Sequence, residues 1–342
     1  MKSSQTLYEA TIVALRDVTP TVREFEIRPV QGAALPWDAG AHLQVQVLVN
    51  GQVQTRSYSL VGVPDGQAYH IAVKHMADGR GGSRAMWQLA VGDRLQISEP
   101  QNHFPLDFSA PHYLLAAGGI GITPLVMMAQ QLQAHARRAG ATLRMLYGVR
   151  TQDELAFLPL LRETLGESLQ TFVAERGESM DLAAEIAALP AGGQLYTCGP
   201  VSMLEAIKKA WADAGRVPAD LRFETFGSSG RFAAQSFRVR VPRHQVDIMV
   251  PADTTLLDAL ENAGVETLSD CRRGECGLCV MDVLALDGEA DHRDVFLSAH
   301  EKQENRRICA CVSRVVGAIT LDSAWRPDDL PRPAARQALE PA

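Results

Sequence analysis

The chain has 342 residues, which is too long for one ordinary domain and predicts three. A hydrophobic content of 46% with 21% charged residues is typical of globular domains, and a net charge of −7 argues against nucleic acid as a partner. The sequence has no apolar run of membrane-spanning length and no apolar signal segment, so we expect a soluble, cytoplasmic chain without a membrane partner.

Residues 1–108 consist of short segments in which apolar and polar residues alternate, with turn residues between them. The segment 42–49 runs into the hairpin dipeptide Asn50-Gly51, and three further segments of the same kind surround it. Alternation with a period of two and regularly spaced turns predicts a small antiparallel β-barrel.

Two motifs in this first domain carry chemistry. Arg56-Ser57-Tyr58-Ser59 closes one strand, and Gly79-Arg80-Gly81-Gly82-Ser83 precedes a helix-like run. The planar fork of an arginine can bind a phosphate, a tyrosine can lie against a flat ring, and glycines before a helix present N–H groups to an anion. Each motif alone also occurs in ordinary surface strands and turns. Together they predict a flavin phosphate site.

Residues 109–228 show a different pattern, which predicts an α/β nucleotide-binding domain with a parallel sheet. A buried strand from Tyr113 is followed by Gly118-Gly119-Ile120-Gly121-Ile122-Thr123-Pro124 and then by a helical run. A pyrophosphate can bind at such a helix start, with Thr123 as the N-cap and Pro124 as the first helical residue. The glycine spacing differs from the dinucleotide fingerprint G-x-G-x-x-G.

Later features of this domain are further candidates for cofactor contacts. They are, in chain order, Arg150, Asp153 and Glu154 after the next strand, the turn Cys198-Gly199-Pro200, and Phe226 in the closing segment. A carboxylate after the strand can accept a hydrogen bond from a free ribose 2′-hydroxyl and repels a 2′-phosphate, which favours NADH over NADPH. Arg150 argues the other way. The thiol of Cys198 and the ring of Phe226 are also compatible with simple packing in the core.

Small residues at 229–236 predict a linker, residues 237–325 predict a third domain, and residues 326–342 are expected to form a flexible tail. The third domain begins with alternating strands at 237–241 and 246–250, followed by a helix with a glycine stop. A cysteine-rich loop and a last strand complete it.

The cysteines of the third domain have the spacing C-x4-C-x2-C, formed by Cys271, Cys276 and Cys279, with Cys309 and Cys311 after a longer interval. This is the plant-type [2Fe–2S] spacing. Zinc is the alternative, but a zinc ribbon needs two C-x2-C pairs and the chain has one. Cysteines at metal-ligand spacing also favour a reducing compartment over disulfides.

These motifs and their order resemble the phthalate dioxygenase reductase family, within the ferredoxin–NADP reductase superfamily, from Leu7 to Asp322. The resemblance implies a flavin barrel, an α/β nucleotide-binding domain and a C-terminal α+β ferredoxin domain of the β-grasp type. The loop 79–83 matches the FMN-using members, with FAD as the alternative. The two glycine turns of the second domain match those that receive the nicotinamide nucleotide.

Site residues follow from this resemblance by position. Those assigned to FMN are Arg56, Ser57, Tyr58, Ser59, Ala72, Val73, Lys74, Gly81, Gly82, Ser83 and Phe226. Those assigned to NADH are Gly118, Gly119, Gly121, Thr123, Pro124, Arg150, Asp153, Cys198, Gly199 and Pro200. The family would use Arg56 and Ser83 for the flavin phosphate, and the backbone of residues 72–74 would line the ring. No residue is a candidate general acid or nucleophile.

The fourth cluster ligand can be Cys309 or Cys311. Cys309 leaves 29 residues after Cys279, a common interval in plant ferredoxins. The family, however, places its last ligand directly before a Val-Ser-Arg sequence, which here follows Cys311. We therefore predict the ligand set Cys271, Cys276, Cys279 and Cys311, with Cys309 as the alternative for the fourth.

Four arginines lie within a few residues of these ligands: Arg272, Arg273, Arg306 and Arg307. We expect them to form a basic rim that steers an acidic face of the electron acceptor toward the cluster. The alternative is ordinary loop charge in contact with solvent.

The resemblance implies the NADH-dependent reductase component of a two-component Rieske-type aromatic dioxygenase or O-demethylase. Electrons would pass from NADH to FMN, to the [2Fe–2S] cluster and then to the oxygenase component. Alternatives are a reductase for a cytochrome P450 or a freestanding ferredoxin, and a non-catalytic redox sensor. We expect a monomer, and the aromatic substrate would never touch this component.

Overall fold

The structure is a computed structural model, and it describes residues 7–77, 79, 81–226 and 231–322. The chain divides into two compact units, one of which ends at Phe226 while the other begins at Gly227. Arg80 of the predicted flavin loop, the start of the predicted linker and the predicted tail lie outside the described residues. In the described part of the chain, no helix combines the length and the apolar character needed to cross a bilayer.

An antiparallel barrel forms the first half of the first unit. Its strands follow the order β4-β3-β6-β1-β2-β5, with β7 beside β3, and a bridge between Leu60 and Ile71 joins the two ends. The Asn50-Gly51 turn has φ of 50° and 79°, as the hairpin prediction requires. The elements are β1 (Leu7–Thr19), β2 (Val22–Pro29), β3 (Ala41–Val49), β4 (Gln52–Ser59), β5 (Tyr69–Lys74), α1 (Gly82–Trp87), β6 (Arg94–Ser98) and β7 (Gln101–Asn102).

A parallel sheet with the order β10-β9-β8-β11-β12 forms the second half of this unit. Strand β8 is buried over nearly its whole length, as expected for a central parallel strand. The elements are β8 (His112–Gly118), α2 (Ile122–Ala139), β9 (Thr142–Val149), α3 (Leu158–Leu165), β10 (Leu169–Val173), α4 (Leu182–Ala188), β11 (Gln194–Cys198), α5 (Val201–Asp213) and β12 (Leu221–Glu224).

The second unit contains a mixed sheet with the order β14-β13-β17-β15-β16. Strands β13 and β17 are parallel and the other pairs are antiparallel, which is the arrangement of a β-grasp fold. The elements are β13 (Phe237–Val241), β14 (Val246–Val250), α6 (Leu256–Asn262), β15 (Val280–Asp291), α7 (Ala299–Glu304), β16 (Arg307–Cys309) and β17 (Arg314–Asp322). The predicted three-domain architecture is confirmed.

Two local predictions are wrong. Thr123 is not the N-cap of α2, because the helix already begins at Ile122 and the Thr123 hydroxyl donates to the carbonyl of Ile120 at 3.0 Å. Pro124 is therefore the third residue of the helix and not the first. The described part of the predicted linker, residues 231–236, is hydrogen-bonded to the second unit. Buried arginines bind its carbonyl groups: Arg293 reaches Phe232 and Arg314 reaches Gln235, each at 3.0 Å.

Candidate redox sites

Strand β4 forms one side of the predicted flavin site. Its side chains alternate between two faces, so that Arg56 and Tyr58 lie beside Val45 and Leu43 of β3. Burial raises the pKa of Tyr58 to about 12, so its phenol is neutral at physiological pH. The hydroxyl of Ser57, on the opposite face, is buried without a hydrogen-bond partner among the described residues.

The guanidinium of Arg56 lies against the start of helix α1. A Cβ at Gly82 would come within 2.7 Å of Arg56 Nε, and Gly81 has a φ of 88°, so both positions favour glycine. Arg56 Nη1 donates to the carbonyl of Thr55 at 2.9 Å, and Nη2 donates to Gln54 Oε1. The structure therefore brings Arg56 and the glycine loop together, as a phosphate site requires.

The remaining residues assigned to the flavin differ in their surroundings. Ser83 lies in the first turn of α1, where its hydroxyl accepts the N–H of Met76 at 3.1 Å. Ala72 and Val73 are buried in β5, and the carbonyl of Val73 accepts the indole N–H of Trp87 at 3.0 Å. Phe226 lies two residues beyond β12 and is partly buried.

Two predicted flavin residues also connect the barrel to the parallel sheet of the same unit. The hydroxyl of Ser59 donates to Glu224 Oε2 at 3.3 Å, and both residues are buried. Lys74 Nζ lies 2.6 Å from Glu154 Oε1. The side chain of Lys74 is thus turned toward the second domain, which agrees with a flavin contact through its backbone alone.

The two glycine turns of the second domain pack directly against each other. A Cβ at Gly121 would lie 2.2 Å from the carbonyl oxygen of Cys198 and 2.8 Å from the nitrogen of Gly199. A Cβ at Gly118 would lie 2.6 Å from Pro200 Cδ. Strands β8 and β11 are parallel neighbours, so both turns lie at the same carboxyl edge, where α/β sheets bind ligands. The predicted nucleotide residues are therefore brought together, with Gly119, Thr123 and Pro124 adjoining.

The turn after β9 contains two acidic residues in different environments. Asp153 is exposed, whereas Glu154 binds Lys74 with one oxygen and accepts the N–H of Arg150 at 3.3 Å with the other. This geometry favours Asp153 as the carboxylate that meets a ribose. Glu175, which sequence reasoning missed, accepts the N–H of Gln152 at 2.8 Å. Its position two residues after β10 was the available signal, because carboxyl ends of parallel strands share one edge.

The cysteine thiols of the second unit form two groups. Cys271 is within hydrogen-bonding reach of Cys276, and Cys279 is within reach of both Cys309 and Cys311. Among the described residues, no three metal-binding side chains converge on a point that would suit a single ion. A two-iron cluster takes thiolates in pairs, and the contacts of Cys271 with Cys276 and of Cys279 with Cys309 or Cys311 are compatible with this.

Backbone amides surround the first predicted ligand. The sulfur of Cys271 accepts N–H groups from Arg273, Glu275 and Cys276 at 3.4 to 3.5 Å. The neighbouring Cys276 thiol and these amides lower the pKa of Cys271 to about 5. Contacts with the other two thiols similarly lower the pKa of Cys279 to about 4. The same contacts raise the pKa of Cys276, Cys309 and Cys311, so within each group one thiolate is favoured and its neighbours keep the proton.

The hypothesis of a basic rim is wrong. The side chains of Arg272 and Arg273 are largely buried, at 18% and 4% exposure. All four arginines face carboxylates: Arg272 binds Asp258 and Glu261, Arg273 lies beside Glu275, Arg306 beside Glu304 and Arg307 beside Glu301. Arg272 and Arg273 therefore cannot belong to an exposed rim, and Arg306 and Arg307, which are 74% and 45% exposed, each lie beside a carboxylate.

Three family models match successive parts of the chain. An oxidoreductase FAD-binding domain matches residues 9–105, an oxidoreductase NAD-binding domain matches residues 115–209, and a 2Fe-2S iron-sulfur cluster binding domain matches residues 239–316. The fold and these sites define an oxidoreductase that uses a flavin, NAD and a [2Fe–2S] cluster. The predicted cofactor classes are confirmed at this level.

Similar proteins cover nearly the whole chain. The beta subunit of a heme-dependent oxidative N-demethylase from Ectopseudomonas mendocina is 37% identical and covers 93% of this chain and 99% of its own. A phenoxybenzoate dioxygenase subunit beta from Ectopseudomonas oleovorans is 40% identical and covers 87% of this chain and 92% of its own. The solved structure of phthalate dioxygenase reductase has a TM-score of 0.76 and is 31% identical, and it covers 92% of this chain and 98% of its own. The chain belongs to the phthalate dioxygenase reductase family.

Proposed function

We propose that the protein is the NADH-dependent reductase component of an oxygenase system, and that it passes electrons from NADH through FMN and the [2Fe–2S] cluster to an oxygenase component. The observation that carries the proposal is the presence of flavin, nucleotide and cluster sites in one chain. Relatives named as subunits of a dioxygenase and a demethylase support the oxygenase as acceptor. By this proposal the chain acts as a monomer in the cytoplasm.

The residues of this chain would bind and orient the cofactors. Arg56 and the loop from Gly81 to Ser83 would hold the flavin phosphate, and the neutral phenol of Tyr58 would lie at the flavin ring. When bound, the flavin supplies conversion between two-electron and one-electron chemistry, and the cluster carries single electrons. The match of the loop 79–83 to the FMN-using members supports FMN over FAD.

The nucleotide contacts would come from the packed turns at Gly121 and Cys198 and from the exposed carboxylate of Asp153. A carboxylate at the ribose favours NADH, because it repels the 2′-phosphate of NADPH. We also propose the domain boundaries 1–108, 109–228 and 237–325, and the proposal is supported by the three sheets, whose strands span 7–102, 112–224 and 237–322.

The test is reduction of a purified Rieske-type oxygenase component by NADH in the presence of the protein. We expect the oxygenase cluster to be reduced, and we expect NADH to outperform NADPH. Ferricyanide and cytochrome c serve as artificial acceptors that distinguish an enzyme from a redox sensor. A chain that binds NADH but turns over neither acceptor would contradict the proposal.

A haem-containing oxygenase is a second candidate for the acceptor. One relative covering 93% of this chain is named as the beta subunit of a heme-dependent N-demethylase. Parallel assays with a haem oxygenase component and a Rieske component, at equal concentrations, would show which acceptor is reduced faster.

A further inference from the structure

The ion pair between Lys74 and Glu154 connects two halves of the first unit. Lys74 is the last residue of β5 in the flavin barrel, and Glu154 lies in the turn after β9 of the nucleotide domain. The charged atoms are 2.6 Å apart, and the side chains are only 17% and 13% exposed. A pair so well shielded from water interacts more strongly than a surface pair.

The turn is held at several further points. The second carboxylate oxygen of Glu154 accepts the N–H of Arg150 at 3.3 Å, and the carbonyl of Glu154 accepts the hydroxyl of Tyr147 at 3.1 Å. The hydroxyl of Thr21 donates to the carbonyl of Asp153 at 3.4 Å. Thr21 is adjacent to Val22, the strand partner of Lys74, so the barrel holds the turn with two neighbouring groups.

Both carboxylate oxygens of Glu154 are therefore engaged with the protein. A side chain that already accepts from a lysine and from a backbone amide is poorly placed to bind a ribose as well. Asp153 precedes it in the same turn and exposes its carboxylate. The two acids thus have different surroundings, although the sequence does not distinguish them.

We propose that Lys74 and Glu154 are positioning residues, whose ion pair fixes the nucleotide-binding turn against the flavin barrel and leaves Asp153 to recognise the ribose. This inference rests on the proposed use of NADH. The pair holds the turn that is assigned to the adenosine ribose, whereas the flavin contact assigned to Lys74 is made by its backbone, which a side-chain substitution keeps. Loss of the ion pair should weaken binding of NADH and change the chemical step little.

The experiment is a double-mutant cycle with Lys74→Met and Glu154→Gln in the full-length, cofactor-loaded protein. NADH oxidation is measured with ferricyanide, so the result does not depend on the oxygenase. We expect each variant to raise KM for NADH about tenfold, the double variant to show the same rise, and kcat to change less than about twofold. The preference for NADH over NADPH should be unchanged in all three.

Three variants complete the design. Lys74→Arg keeps the charge and should restore most of the affinity, which separates a lost ion pair from a misfolded chain. Asp153→Asn should reduce the preference for NADH, and its effect should add to the effects of Lys74→Met and Glu154→Gln. Lys209→Met removes an exposed ion pair with Asp213 in the same domain, at 77% and 62% exposure, and should leave KM unchanged.

Two results would overturn the inference. If Glu154→Gln alone changes the choice between NADH and NADPH, then Glu154 binds the ribose directly. If the effects of Lys74→Met and Glu154→Gln add, the two side chains do not act as a pair. A failure of the proposed function would give another result. The wild-type chain would then oxidise NADH with ferricyanide but would reduce no oxygenase component.

Discussion

The carboxylate of Glu24 binds a histidine and an arginine of the barrel. His70 Nδ1 lies 2.9 Å from it, and Arg16 on the neighbouring strand also donates to it. The hydrogen bond to Glu24 raises the pKa of His70 despite partial burial, with smaller effects from Glu26 and Asp65. Burial opposes ionisation of Glu24, but the bonds from His70 and Arg16 outweigh it and lower the pKa of Glu24.

The pair predicts how the stability of the barrel depends on pH. Because the pKa of His70 is raised in the folded protein, its bond to Glu24 contributes fully to stability below pH 6.5, the ordinary pKa of histidine. This contribution is lost as the pH rises through the pKa of the folded state. Because the pKa of Glu24 is lowered, this carboxylate contributes to stability above pH 4.5, and the contribution is lost as the pH falls through the pKa of the folded state. We expect His70→Gln to cost about 1 kcal/mol between these values and much less in alkaline solution.

Denaturant unfolding, monitored by flavin release, would measure the stability lost in His70→Gln at a pH between 4.5 and 6.5 and at an alkaline pH. His112→Gln is a suitable control, because His112 Nδ1 contacts only the hydroxyl of Thr142 among the described contacts of its ring. An equal loss of stability at acidic and alkaline pH in His70→Gln would contradict the predicted coupling.

The fourth cluster ligand is a second test at the scale of single residues. Cys309 ends β16, Cys311 follows two residues later, and both contact the thiol of Cys279. We expect Cys311→Ser to lose the [2Fe–2S] absorbance and Cys309→Ser to retain it, because only the former removes a ligand. Visible spectra and iron content of the purified variants decide the matter, and the reverse pattern would assign Cys309.

At the scale of elements, the cluster loop depends on glycines for two separate reasons. Gly274 and Gly277 have φ of 79° and 77°, a region that costs other residues about 1–2 kcal/mol. A Cβ at Gly274 would also lie 2.6 Å from Val312 and 2.9 Å from the backbone of Asp294. The nearest atoms to a Cβ at Gly277 belong to the ring of Phe296, which is 46% exposed and can move away.

We therefore expect Gly274→Ala to lose the cluster and Gly277→Ala to retain much of it. Gly264→Ala is the matched control, since Gly264 has φ of 80° in the same unit and a Cβ there would meet nothing within 4 Å. The cluster absorbance per protein chain measures all three. Equal losses in the three variants would mean that backbone strain, and not crowding at Gly274, controls the loop.

The sequence predicted those elements whose signals are local. Strands β13 and β14 begin and end where the alternation predicted them. It predicted no strand at β15, because that strand is defined by pairing with β17, from Asp291 with Arg314 to Asp282 with Asp322. It also misplaced the start of α2, since close packing of Gly121 on Cys198 fixes that junction.

Side-chain partners were the least predictable part of the candidate sites. Arg272 lies beside a predicted ligand in sequence, but its guanidinium binds Asp258 and Glu261 of helix α6. Lys74 was assigned by its backbone, and its ion pair with Glu154 exists only because barrel and sheet pack together. Contacts between residues so far apart in sequence depend on the tertiary fold and leave no local pattern.

At the scale of the whole molecule, the described end of the linker belongs to the ferredoxin unit. The N–H of Arg231 donates to Asp291 at 2.9 Å, and Asp291 binds the guanidinium of Arg293, whose Nη2 also donates to Phe232. The side chains of Arg293 and Asp291 are only 5% and 2% exposed. Removing one charge from such a pair leaves the other buried and unpaired.

We expect Arg293→Met to destabilise the ferredoxin unit by about 3 kcal/mol and to expose the linker near Ala233 to proteases, because the carbonyl of Phe232 loses its donor. The double variant with Asp291→Asn should recover part of the stability, since no unpaired charge remains, but not the protection of the linker. Thermal bleaching of the cluster and limited proteolysis measure the two effects separately. An Arg293→Met protein with wild-type cleavage kinetics would show that other contacts, such as the bond from Arg314 to Gln235, are sufficient to hold the linker.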